Sequence, residues 1–450
     1  MTTAIKDQIH WRSRSRIELA RINFWILVIL LLLLPIERVM MPMGMTPADV
    51  ALMALVALFW PVAWVRRRRV IFPLLLPMWL IFVASNLATL FSDVPTTNIT
   101  TMMQEAYLYL GLVSLANLLV WLGEEDMHRI NKIWIIVACV ESLLTMMGAL
   151  RIGPQFLHEP PIVAGDPGKH SYQFEGIDRA LGTFANPNAA GGYLMASLFV
   201  FLATPWLRHP LLRLAVVGWL LLGIFATGSN AGLGATLAAL GFYFLYWVLT
   251  QQDRQAVRLW IVLGMLIAAV VIAPLLVGFS YSSLLEAGVM ESDLLSTTVG
   301  RLGSGVSRRT DIFGSGWDMF RQNPLVGIGP HSSPDIAGGG LHNDYLAFLT
   351  ERGVLGLIGL LLVITLTMVC VAASARLARG DSVRQLQAIA LGGGFVGALV
   401  EAVAHEVTHS RWLWILMAMI FAYYYMLRQR VGQVAGMESD MSIASLGKDL

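Results

Sequence analysis

Apolar and polar positions along this chain fall in long blocks, not in the short periods of a soluble amphipathic helix or strand. Apolar runs close to the roughly 20 residues that cross a bilayer occupy 22–40, 47–65, 70–91, 104–122, 132–150, 187–206, 211–227, 231–250, 258–278, 350–373, 386–404 and 410–427. A segment within lipid must satisfy its backbone groups internally, so the runs predict helices and exclude open sheets. The pattern predicts an all-α integral membrane protein, one polytopic domain over 1–450 with about twelve transmembrane helices. The first run follows a polar stretch and lacks a small-x-small cleavage site before the next loop, which reads as an anchor and not a removed signal peptide.

Composition agrees and narrows the class. The 450 residues are 56% hydrophobic and 13% charged, against roughly 25% charged in soluble domains. That balance excludes a soluble enzyme, a disordered chain and a secreted disulfide scaffold. The only cysteines, Cys139 and Cys370, lie in apolar runs and read as ordinary buried thiols. A net charge of +2 is divided among many short loops, which gives no footprint for nucleic acid.

Placement of the charges sets an orientation. With the amino terminus cytoplasmic, 21 of the 31 Lys and Arg residues fall on that side, among them Arg66 to Arg69, Arg376, Arg379, Arg384, and Arg428 and Arg430 in a cytoplasmic tail over 428–450. Most of the others lie in two long periplasmic loops, 151–186 and 279–349, the second between helices nine and ten. Structureless loops of this length are uncommon unless they act as lids or binding surfaces.

The second loop is the denser in chemistry. It runs through Arg308-Arg309-Thr-Asp-Ile-Phe, Asn323-Pro-Leu-Val-Gly-Ile-Gly329 and Gly338-Gly-Gly-Leu-His342-Asn343-Asp344, then into Glu351-Arg352-Gly353-Val-Leu-Gly356. Asn343 or Asp344 can cap the helix that begins there, and a helix start suits an anionic ligand. His342 stands at that start and takes a proton near neutrality without special tuning. The outer segments carry no D-x-D pair for a divalent metal, whereas Arg179, Arg301, Arg308, Arg309 and Arg321 offer forked contacts to phosphate oxygens. The first loop ends in Arg179-Ala-Leu-Gly-Thr-Phe-Ala-Asn186-Pro187-Asn188, a turn followed by a helix cap.

Two other classes compete. His405-Glu406-Val-Thr-His409 matches H-E-x-x-H, the spacing of a zinc hydrolase, but the motif straddles a turn between two spans and no third ligand is evident; a polar turn lining the cavity of His342 is the better reading. A transporter would use Glu141 and Glu401, which lie inside or near apolar runs, for ion coupling.

Four stretches of the chain resemble the O-antigen ligase and O-antigen polymerase superfamily of bacterial GT-C membrane glycosyltransferases: Arg179 to Asn188, Thr227-Gly-Ser-Asn230-Ala-Gly232, Arg309-Thr-Asp-Ile-Phe with Asn323 to Gly329, and His342-Asn-Asp-Tyr-Leu with Gly353 to Gly356. The resemblance implies transfer of a glycan from undecaprenyl pyrophosphate to a sugar hydroxyl of lipid A–core, or to a lipid-linked glycan in a polymerase, at the periplasmic face of the bacterial inner membrane. It implies no metal and no cofactor, with membrane lipids as surroundings. His342 and Arg309 would be catalytic; Arg179, Arg301, Arg308, Asn188, Asn230 and Asn343 would bind substrate. At position 230 the family commonly has an arginine, and the asparagine here adds no charge, so either Arg308 or Arg301 would compensate or the donor would sit differently.

Overall fold

The computed structural model describes residues 22–39, 45–157, 180–207, 209–250, 313–333 and 341–446. The expected span at 258–278 lies outside the described residues, as do Arg179, Arg301, Arg308 and Arg309. Among the described residues there is no strand. The helices are α1 (Ile22–Leu33), α2 (Pro47–Val65), α3 (Leu75–Leu90), α4 (Pro95–Leu122), α5 (Glu124–Ala149), α6 (Pro187–Leu202), α7 (Pro210–Ala226), α8 (Asn230–Thr250), α9 (313–322), α10 (Asp344–Leu377), α11 (Ser382–Glu401) and α12 (Arg411–Leu446). Six of them, α2, α4, α5, α8, α10 and α11, are long and apolar enough to cross a membrane.

Several helices outrun their apolar runs. The α4 helix starts at Pro95 and α5 at Glu124, because helical hydrogen bonding continues through polar turns that a hydrophobic window passes over. Glu124, Glu125 and Asp126 occupy the first turn of α5, where carboxylates complement the exposed N–H groups. The α12 helix continues past Arg428 to Leu446, through most of the segment expected to be a tail.

Helix α6 is the centre of the bundle. Nearly every side chain from Pro187 to Phe201 is buried, with α11 on one side and α5, α7 and α8 around it. Close approach there depends on small residues: a Cβ on Gly393 would lie 2.8 Å from the Phe199 ring, and one on Gly397 2.5 Å from the Met195 sulfur. Stripping side chains from a helix face brings backbones together and multiplies dispersion contacts, the main source of helix association in lipid. Elsewhere α10 lies on α3 and α12 on α4.

The two ends of the bundle differ. At one end Arg384 of α11 holds Glu124 of α5 at 3.1 Å and Asp381 at 2.5 Å, with Arg430 of α12 3.8 Å from Glu124. At the other, roughly 30 Å along the 20 residues of α11, Arg411 forks onto both carboxylate oxygens of Asp49 at 2.7 and 2.6 Å. Tyr107 donates to the same carboxylate. Beside it Glu141 accepts from the Thr183 backbone N–H at 2.8 Å and its hydroxyl at 2.6 Å, pinning the chain that enters α6.

Candidate active site

The second end carries a cavity of about 470 Å³ lined by Thr101, Gln104, His331, His342, His405, Glu406 and His409. Three separate pieces of chain build it on the first turns of α4: the segment before α10, the segment 323–333, and the turn 402–410 between α11 and α12.

The first piece is fixed by a cap. The Asn343 side chain accepts from the Leu346 N–H at 3.0 Å and so starts α10. The residue before the cap has an unusual shape: His342 is exposed with φ 50°. A non-glycine residue in the left-handed region carries strain, and such residues gather at functional sites. His331 shares the feature at φ 60°.

Two glycine motifs hold the second piece. Helix α10 breaks at Gly353, whose φ of 64° and ψ of −169° interrupt the helical ladder. The freed groups are taken up by the Asn323-to-Gly329 stretch: Ile328 N–H donates to Thr350 O at 3.1 Å, Gly329 N–H to Glu351 O at 2.9 Å, and Val354 N–H to Pro324 O at 3.0 Å. A Cβ on Gly353 would lie 2.2 Å from Leu325 O, and one on Gly327 2.4 Å from Glu351. The two motifs are therefore halves of one backbone joint. Below it, the Glu351 carboxylate accepts from the His331 N–H at 2.8 Å and the Ser333 hydroxyl at 2.7 Å, which positions His331 on the cavity wall. Ser332 Oγ meets the Asn98 amide of α4 at 2.9 Å.

Arg352, the next residue, is buried at 2% exposure and belongs to the support, not to the cavity. Its guanidinium pairs with Glu105 of α4, reaches Glu351 at 3.3 Å and Ser85 Oγ at 3.1 Å, and lies 4.3 Å over the Phe348 ring. A planar fork with several fixed partners is a use that arginine serves and lysine does not.

Asp344 anchors the third piece. Its carboxylate accepts from the Val407 N–H at 2.8 Å, the Thr408 N–H at 3.0 Å and the Thr408 hydroxyl at 2.7 Å, while its own N–H donates to Ala402 O at 2.9 Å. The turn thus presents His405, Glu406 and His409 across from His342. It is not helical, so the two histidines lack the one-turn helical stacking from which H-E-x-x-H derives its zinc geometry. Among the described residues no group of three or more His, Cys, Asp or Glu side chains is arranged to hold a metal ion.

Burial sets the charges on that turn. The Glu406 carboxyl is pushed above the usual range by burial and by nearby Glu351, with partial relief from His331 and the His342 backbone N–H. Burial, with Arg352, His331 and Arg411 nearby, drives His409 down to about 3. The His331 and His409 rings meet edge to face, their centroids 6.4 Å apart.

Of the residues singled out in the sequence, the cavity brings together His342 and the H-E-x-x-H turn. Asn343 is committed to its cap. Asn186 caps α6 by accepting from the Asn188 N–H at 2.8 Å, with Pro187 at the first helical position, as Asn-Pro-Asn predicts. Asn188 accepts from the Ser229 hydroxyl at 2.9 Å, and Gly191 lies against Gly232, so the Asn-Pro-Asn and Thr-Gly-Ser stretches form a second joint away from the cavity lining. Asn230 is exposed at the start of α8 and does not line the cavity either. Arg321 lies on α9 with its guanidinium 5.8 Å over the Trp317 ring. Glu141 is occupied with Thr183, and Glu401 is fully buried against Gly192. His331, Thr101, Gln104 and the anchoring role of Asp344 were not read from the sequence; the only signal was the polarity of His331 just after Gly329-Pro330.

A search of the curated proteins finds no match to the chain. Residues 215–361 match the family model Wzy_C, described as O-Antigen ligase. The matched stretch contains His342, the α10 break and both glycine motifs, and over those residues the chain is similar to the O-antigen ligase family.

Proposed function

We propose that the chain is an O-antigen ligase-like glycosyltransferase, moving a glycan from undecaprenyl pyrophosphate to a sugar hydroxyl of lipid A–core at the periplasmic face of the inner membrane, without a metal. The observation that carries this reading is His342: a strained, exposed histidine at a helix start, on the wall of a polar cavity, inside the O-antigen ligase stretch. The orientation is supported by the bundle's two ends. The cavity lies opposite the end where Arg384 and Arg430 gather, which the positive-inside rule assigns to the cytoplasm.

In the reaction the acceptor hydroxyl oxygen attacks the anomeric carbon as its proton passes to the His342 imidazole. The bond from that carbon to the phosphate oxygen breaks, and the pyrophosphate leaves on its polyprenyl chain. Proton acceptance of this kind contributes about 10²- to 10⁴-fold in rate. The arginines at 179, 301, 308 and 309, which lie outside the described residues, are assigned the phosphates: permanently charged, forked donors stabilise charge that grows on the leaving group.

The test uses purified full-length protein, an undecaprenyl-pyrophosphate-linked glycan and lipid A–core. His342→Ala is expected to lower turnover by about 10² or more with donor binding retained. Arg309→Ala should weaken both, and Arg309→Lys should keep partial activity. Transfer should survive EDTA. Near-normal turnover by folded His342→Ala would end the proposal. In cells, loss of all long chains from the core is the ligase outcome, and a core capped by a single unit would transfer the assignment to a polymerase.

A further inference from the structure

Part of the cavity wall lies outside the family stretch. The match ends at residue 361, yet the turn 402–410 contributes three of the seven lining residues, His405, Glu406 and His409. This turn is no loose loop, since three hydrogen bonds to the Asp344 carboxylate and one from the Asp344 N–H fix it to a residue that stands two positions from His342 in sequence.

We propose that Glu406 binds the acceptor sugar, its carboxylate taking hydrogen bonds from hydroxyls next to the one that reacts; this rests on the glycosyl-transfer reading above. Charge decides which substrate belongs at this wall. A carboxyl group offers a pyrophosphate no positive charge and, when ionised, repels it, so the Glu406 side does not suit the donor's phosphates. A sugar is neutral where it reacts and rich in O–H donors, and a carboxylate with about four lone-pair positions can serve two neighbouring hydroxyls. One of those positions takes the His342 backbone N–H. That contact ties the carboxylate to the residue that receives the proton, so a hydroxyl held by Glu406 lies within the same small space as the His342 side chain. His405 and His409 flank it on the same turn and add imidazole surface to the sugar site.

Binding and turnover are measured separately, so that this proposal and the transfer reaction fail by different results. The probe for binding is delipidated core oligosaccharide, titrated onto full-length protein in detergent without donor. Glu406→Gln keeps an oxygen for the His342 N–H and should fold as the parent does, which its melting curve checks. It is expected to weaken oligosaccharide binding about tenfold, and Glu406→Ala further, since a hydrogen bond to a charged group is worth more than one to a neutral amide. In steady state, Glu406→Gln should raise the acceptor KM by a similar factor, leaving the donor KM unchanged. His342→Ala should bind the oligosaccharide as the parent does. Unchanged oligosaccharide affinity in both Glu406 variants, or an equal rise in both KM values, overturns the acceptor role. Full turnover in His342→Ala would instead overturn the transfer chemistry.

Discussion

Replacing Gly353 by alanine tests the backbone joint that supports the cavity. At φ 64° and ψ −169° the residue occupies a region almost confined to glycine, and a side chain there costs of order 1–3 kcal/mol. The new Cβ would also lie 2.2 Å from Leu325 O. A backbone oxygen cannot rotate away as a flexible side chain can, so the two segments must separate. Separation threatens the three hydrogen bonds from Ile328, Gly329 and Val354, each worth about 0.5–1.5 kcal/mol net. Together these set the local cost at about 2.5–7.5 kcal/mol. Hydrogen exchange reads it directly: amides at 328, 329 and 354 should lose at least about 70-fold in protection. Transfer should fall as well, because Glu351 holds His331 from the same joint. Gly234→Ala is the control, at a helical position where a Cβ meets nothing within 4 Å. Parental protection at 328 and 329 in Gly353→Ala would show that the joint does not hold the cavity wall.

Two further outcomes follow from the charges. His409 is held down to about 3 when folded, so between about pH 3 and 6.5 the unfolded chain binds more protons than the folded one, and stability rises with pH across that window. Acidification from about pH 7 to 4 should therefore lower the thermal midpoint, and His409→Gln should be less sensitive; equal sensitivity would refute the assignment. In a chain with Cys139 and Cys370 replaced, cysteines at Ser304 and Arg67 should label oppositely with an impermeant thiol reagent on intact cells. Labelling of Arg67→Cys from outside would reverse the orientation and with it the periplasmic site.

Much of the helical layout was legible because lipid imposes a crude, one-dimensional rule on apolar length, and the starts of α2, α6 and α7 fall within a residue of the runs that predict them. What the rule misses is helix that continues through charge, as at Glu124 to Asp126. The place of His342 on the cavity wall was legible from its position next to a capping asparagine in a glycine-rich stretch. The partnership of Arg352 with Glu105 was not, since the two are 247 positions apart and only packing of α10 near α4 joins them. The same holds for the glycine motifs: sequence displays Gly327 and Gly353 as separate signals, and only the fold shows that each makes room for the other.

The break in α10 also has a mechanical meaning. Beyond it, Val354 to Leu377 forms 24 helical residues, about 36 Å of rod in a hydrocarbon layer of roughly 30 Å. A rod longer than its layer leans, and leans by different amounts in thick and thin membranes. An unbroken helix would carry that lean directly into Asp344 and His342. Here the ladder is cut at Gly353, and the short upper piece is clamped from the side by residues 323–333 and from above by the Asp344 grip on the 402–410 turn. On the proposed function, such a joint would act as a vibration mount does, letting the rod lean with its surroundings while the cavity wall keeps its shape.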